Sequence, residues 1–116
     1  MNVPGLRSCY DKTGNLYYFG RMIDKIRLHL KDELPADYHE SFGNGFDDRC
    51  AKFLGISHSK IIQRVSEGGS DDEILQWCRQ HGTHRTEEDI LVWNSFMSKR
   101  GWRDSASDIW QKRVRD

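Results

Sequence analysis

The chain reads as an all-α protein: a compact single-domain bundle of five or six short-to-medium helices. Three observations predict this. Apolar residues recur at three-four spacing in one segment after another, glycines and a proline fall between those segments, and no alternating apolar run is bounded by a hairpin turn. At 116 residues the chain is long enough for one core and too short for two, so 1–116 is taken as a single helical domain. Four Trp, four Tyr and five Phe supply bulk for that core and argue against disorder, despite a charged fraction of 31%.

Residues 1–14 carry Pro4, Gly5 and Gly14 without a period and read as an extended arm. Asn15 is placed to cap a first helix with its apolar stripe at Leu16, Phe19, Ile23, Ile26 and Leu30. Asp24, Lys25 and Lys31 lie off that stripe, Arg27 and His29 sit at its edges, and Pro35 closes the region. In the loop that follows, Gly43 and Gly45 suggest positive φ or a close backbone approach. A short helix from Asp47 to Leu54 should stop at Gly55. Ser57 then caps another, with Ile61, Ile62 and Val65 inward and Gly68-Gly69 at its end. Ser70-Asp71-Asp72-Glu73 fits a capping box, in which hydroxyl and carboxylate satisfy each other's orphan amides. Ile74, Leu75 and Cys78 form the inward face of that helix, and Gly82 ends it. Thr86-Glu87-Glu88-Asp89 opens the next in nearly the same way, with Ile90, Leu91, Trp93 and Met97 on its face and a stop at Gly101. A last helix is expected from Ser105 or Ala106 through Ile109 and Trp110.

Charge and cysteine usage narrow the function classes. The formal net charge is zero, so no global field draws the molecule to nucleic acid or anionic lipid. No apolar run approaches the ~18 residues of a membrane span, and no basic-then-apolar signal opens the chain. A soluble, cytoplasmic protein is expected. Cys9, Cys50 and Cys78 are an odd, widely spaced set without CxxC, which suits reduced thiols in a reducing compartment.

The block Trp93 to Asp104 holds two tryptophans, an amide and three cations. Asn94 projects into the apolar stripe, where an unpartnered amide costs roughly 1–3 kcal/mol. It must fix a loop backbone or reach into a pocket. Arg103 offers a flat fork for carboxylate or phosphate, whether from another segment or from a ligand. Gly20, after Tyr17-Tyr18-Phe19, costs a helix ~1 kcal/mol against alanine and so implies a close contact there, by a helix or a ligand. His39 beside Glu40 is the candidate for proton transfer, and a neighbouring Cys50 would make a thiolate pair with it. Cys78-x-x-His81-x-x-His84 is a weak metal candidate, broken by Gly82, and no metal or other cofactor is assigned. Residues 51–65 match the spacing of a helix-turn-helix, with Gly55 at the turn, Ser57 at the cap, and His58, Lys60, Gln63 and Arg64 outward. The acidic run at 71–73 that follows is wrong for a groove reader.

Several stretches together resemble one family. They are Val3-Pro4-Gly5-Leu6-Arg7-Ser8, Tyr18 through Leu28, Asp37-Tyr38-His39, Phe53-Leu54-Gly55, and Trp93-Asn94 with Lys99 through Asp104. The chain resembles, along essentially its whole length, the bacterial family catalogued as domain of unknown function 5069. The resemblance implies a small stand-alone bacterial protein. It carries over no reaction and no catalytic residue, and it weighs against DNA binding.

The expected function is therefore a pocket for a small, anionic molecule, with or without catalysis. Its walls would come from the first long helix, the 37–49 loop and the 93–104 block. Tyr18, Trp93 and Trp102 would be aromatic walls, Arg21, Arg27, Arg49 and Arg103 anion contacts, Asn94 a polar contact, and His39 the proton-transfer group. The alternatives are a homo-oligomeric interaction module and DNA binding through residues 51–65.

Overall fold

The computed structural model describes the backbone of residues 5–107 and the side chains of residues 5–99. The chain is mostly helical. A two-stranded hairpin, β1 (Lys12–Thr13) and β2 (Leu16–Tyr17), leads into α1 (Phe19–Leu30). A 3-10 turn at Ala36–Tyr38 precedes α2 (Phe46–Leu54), α3 (His58–Ser66), α4 (Asp71–His81) and α5 (Glu87–Ser107).

The hairpin corrects the expectation that Asn15 caps a helix. Thr13 pairs with Leu16 and Lys12 with Tyr17, so Gly14 and Asn15 form a two-residue turn. Their φ angles are 55° and 68°, positive at both central positions as a type I′ turn requires. Leu16 thus belongs to β2, and α1 starts at Phe19. Tyr18 at the junction is itself left-handed, at φ 75°. Such a residue costs on the order of 1 kcal/mol, offset here by the burial of its ring.

Within α1, Phe19, Ile23 and Ile26 are fully buried as the stripe predicts, while Leu30 is exposed. The chain turns at Asp32 (φ 60°), and Leu34 is buried in its stead. Asp24 and Lys25 are also buried, against expectation, because each meets an opposite charge from a distant segment. Asp24 takes Arg7, Nε to Oδ2 at 2.8 Å, and Lys25 takes Asp47, Nζ to Oδ2 at 2.9 Å. Arg7 also reaches Asp71 at 2.6 Å, and Arg27 reaches the same carboxylate at 2.7 Å. This network ties the N-terminal segment to α1 and to the first turn of α4. It also explains Gly20: a Cβ there would lie 2.9 Å from the Arg7 guanidinium carbon.

The later elements follow the predicted signals. Gly43, Gly45 and Gly55 all have positive φ. Ser57 accepts from the Lys60 amide, and Ser70 with Glu73 forms the full capping box. Thr86 and Asp89 exchange the equivalent pair of bonds at α5, at 3.0 and 3.1 Å. Two expectations on α5 fail. Leu91 is 66% exposed, because it stands about 120° round the helix from buried Met97. The helix also runs on through Gly101 to Ser107. Glycine lowers helix propensity by only about 1 kcal/mol and keeps its amide donor, so it permits a stop without forcing one. The helix expected from Ser105 through Trp110 lies largely outside the described residues.

The core gathers Phe19, Met22, Ile23 and Ile26 of α1 with Cys50, Leu54, Ile61, Ile74, Cys78 and Met97 from the other four helices. No helix among the described residues is long and apolar enough to cross a membrane.

Candidate functional site

The last turn of α2 has carbonyls without intrahelical partners, and the segment between α4 and α5 supplies donors to them. The Thr83 amide donates to the Leu54 carbonyl at 2.9 Å. Arg85 Nε donates to the Phe53 carbonyl at 2.7 Å. A cation at a helix C-terminus is also favoured by the helix dipole. Arg85 is thereby fixed with its guanidinium 4.8 Å over the Phe53 ring.

From there planar groups continue in series. Phe53 stacks on Trp93, with centroids 5.1 Å apart and planes 25° off parallel. Trp93 lies 5.9 Å from Phe96, and Arg49 sits 5.6 Å over the Phe96 ring. Trp93 is anchored from behind, since its indole nitrogen donates to the Tyr17 carbonyl at 3.0 Å. The result is an open groove of about 450 Å³ lined by Arg49, Phe53, Arg85, Asp89, Val92, Trp93 and Phe96. Its floor is aromatic, and a guanidinium lies over each of two of its rings, Arg85 over Phe53 and Arg49 over Phe96. Neither arginine has a carboxylate within ion-pair distance among the described residues. Asp89 is engaged at the α5 cap: its bonds with Thr86, and in smaller part the charge of nearby Arg85, hold its carboxyl below the usual range.

The structure divides the residues singled out from the sequence. Arg49 and Trp93 come together in the groove. Tyr18 is buried in the core, its hydroxyl donating to Asp47 Oδ1 at 2.7 Å. Arg21 donates to the Arg7 carbonyl at 2.8 Å, and Arg27 is paired with Asp71. Asn94 turns to the hairpin, accepting from the Tyr17 amide at 2.9 Å and donating to the Asn15 carbonyl at 2.8 Å. Of the two roles open to it, it fixes a turn. The side chains of Trp102 and Arg103 lie outside the described residues. Phe53, Arg85, Asp89, Val92 and Phe96 are groove residues that the sequence reading did not select. Arg85 is marked only by standing just before the Thr86 cap.

His39 lines a second, smaller cavity of about 290 Å³ with His29, Asp32, Leu34 and Phe42, and its Nε2 lies 2.8 Å from the Leu34 carbonyl. Cys50 is fully buried, and burial, then the charge of Asp47, pushes its thiol well up. A thiolate there is disfavoured. Burial also pushes Cys78 up to about 11. His81 bonds through Nδ1 to the Trp77 carbonyl at 3.0 Å, and no group of three or more His, Cys, Asp or Glu among the described residues could hold a metal.

Residues 51–65 do form a helix-turn-helix corner, with Ile61 and Val65 inward. Lys60 and Gln63 are exposed, Arg64 donates to the Gly68 carbonyl at 2.6 Å, and His58 is half-buried against Phe42.

No curated protein matches the chain, and no solved structure does. A family model matches residues 3–116, including both helices that build the groove. The chain belongs to the family described as Domain of unknown function (DUF5069).

Proposed function

We propose that the protein binds a small anionic molecule with a flat apolar body in the groove between α2 and α5. Arg49 and Arg85 take its negative groups, and Phe53, Trp93 and Phe96 take its body. The helices, read as a bundle closed round α1, serve to hold this groove open. The observation that carries the reading is the pair of guanidiniums over the terminal rings of one aromatic series, neither within ion-pair distance of a carboxylate among the described residues. A guanidinium stacked on a ring keeps its N–H edge free for a bidentate acceptor. Two of the series are fixed beforehand, Arg85 by the Phe53 carbonyl and Trp93 by the Tyr17 carbonyl, which reduces the ordering that binding would require. Among the described residues the groove sets no nucleophile beside a base, and the proposal is of binding.

The test is an NMR titration with naphthalene-2-carboxylate and with its neutral carboxamide, which has nearly the same shape. The carboxylate should shift the side-chain Nε–H signals of Arg49 and Arg85 and bind at least tenfold tighter than the amide. Equal affinity for the two, or shifts confined to other residues, would overturn the proposal.

A further inference from the structure

The outer face of α5 carries a line of residues separate from the aromatic floor. Leu91 and Val92 are 66% and 65% exposed, and they stand next to each other. Glu88, Ser95 and Lys99 are exposed on the same helix. At about 100° per residue, Glu88, Val92, Ser95 and Lys99 fall within about 40° of one line along the helix, with Leu91 at its margin. The order along the line matters: an acid at the N-terminal end, apolar residues in the middle, a base at the C-terminal end.

Such a line is complementary to itself when reversed. Lay a second copy of α5 antiparallel across it, with a two-fold axis level with the midpoint of positions 93 and 94. Glu88 then faces Lys99 of the second copy, and Lys99 faces Glu88, so both charge pairs form at once. A two-fold perpendicular to the paired helices keeps each flank on its own side. Leu91 therefore approaches Leu91 of the second copy on one flank, and Val92 approaches its counterpart on the other. Val92 is also the outer lip of the groove. The two grooves consequently meet edge to edge across the axis.

We propose that the protein self-associates through an isologous, antiparallel α5–α5 contact centred on Leu91 and Val92 and held in register by reciprocal Glu88–Lys99 pairs. An exposed apolar pair flanked by opposite charges is the arrangement of an interface centre with a polar rim. The face spans only about three turns, so the contact belongs to the small, reversible class. Exposed charge pairs fix register more than they add affinity.

Sedimentation velocity on the full chain, from micromolar to submillimolar concentration at low salt, tests this. A monomer–dimer equilibrium is expected. Leu91→Asp should weaken it at least tenfold. Glu88→Lys alone should do the same, by setting like charges opposite each other, and adding Lys99→Glu should restore the dimer. The exposed positions leave the fold intact, which circular dichroism melts verify. A wild-type chain that stays monomeric throughout would overturn the proposal. A dimer indifferent to Leu91→Asp, or one that the double reversal fails to restore, would overturn it equally.

Discussion

Two regions of this molecule hold cations, and they treat them in opposite ways. In the core, Lys25 is 4% exposed and Asp47 is sealed completely. The Asp47 carboxylate receives the Lys25 ammonium, the Tyr18 hydroxyl and the Gly43 amide, at 2.9, 2.7 and 2.9 Å. In the groove, Arg49 and Arg85 lie over Phe96 and Phe53, and among the described residues no carboxylate comes within ion-pair distance of either. A buried ammonium without its counter-ion would be very costly, so the Lys25–Asp47 pair is needed to hold the first region together. A guanidinium facing water carries no such penalty and can wait for an anion. Closure and satisfaction separate the two, since both contain the residue types that sequence reading associates with sites.

That contrast can be broken from the core side. Asp47→Ala strands Lys25 and unpairs Tyr18 and Gly43. It should cost about 3–5 kcal/mol, seen as a fall in the urea midpoint. Loss of less than about 1 kcal/mol would mean the cluster is wetter than its geometry implies. Asn94→Ala is expected to cost less, roughly 1–3 kcal/mol, because it leaves the Tyr17 amide and the Asn15 carbonyl without their partner. Hydrogen exchange at Tyr17 should accelerate. If exchange there is unchanged, the hairpin does not depend on α5.

These effects fall on residues whose roles were unequally legible. The starts of α3, α4 and α5 are written locally, since Ser57, Ser70 and Thr86 each bond an amide three residues on. The Gly14-Asn15 turn was misread because a polar Asn before an apolar run fits both a cap and a hairpin. The positive φ at both positions is what decides, and Gly-Asn is itself a hairpin signal. Asp24 and Lys25 looked like solvent-facing charges because their partners, Arg7 and Asp47, sit in other segments. The groove was half legible. Arg49 and Trp93 stood out by residue type, but Arg85 meets Phe53 across 32 positions, through a chain reversal that no periodicity records.

A third expectation concerns acid. Burial alone would raise the Asp71 carboxyl, but the bonds and charges of Arg7 and Arg27 outweigh it and hold the group below its usual range. A carboxyl lowered in the folded state contributes stability that is complete above its unfolded pKa of about 3.9 and disappears as pH falls through the folded value. Asp71→Asn should therefore destabilise at pH 7 and reduce the steepness of the stability loss between about pH 4 and 2. An unaltered acid slope would place that sensitivity elsewhere. The smallest stability effect is expected in the groove, where, among the described residues, the Arg49 side chain forms no hydrogen bond or ion pair and the Arg85 side chain forms one hydrogen bond, to the Phe53 carbonyl.

The most direct measurement joins both regions in one protein: unfolding free energy and naphthalene-2-carboxylate affinity of the Arg49→Gln/Arg85→Gln variant beside the wild type. The groove reading predicts stability within about 1–2 kcal/mol of wild type and affinity reduced at least tenfold. A variant that binds the carboxylate as well as before, or one that loses several kcal/mol of stability, would contradict it.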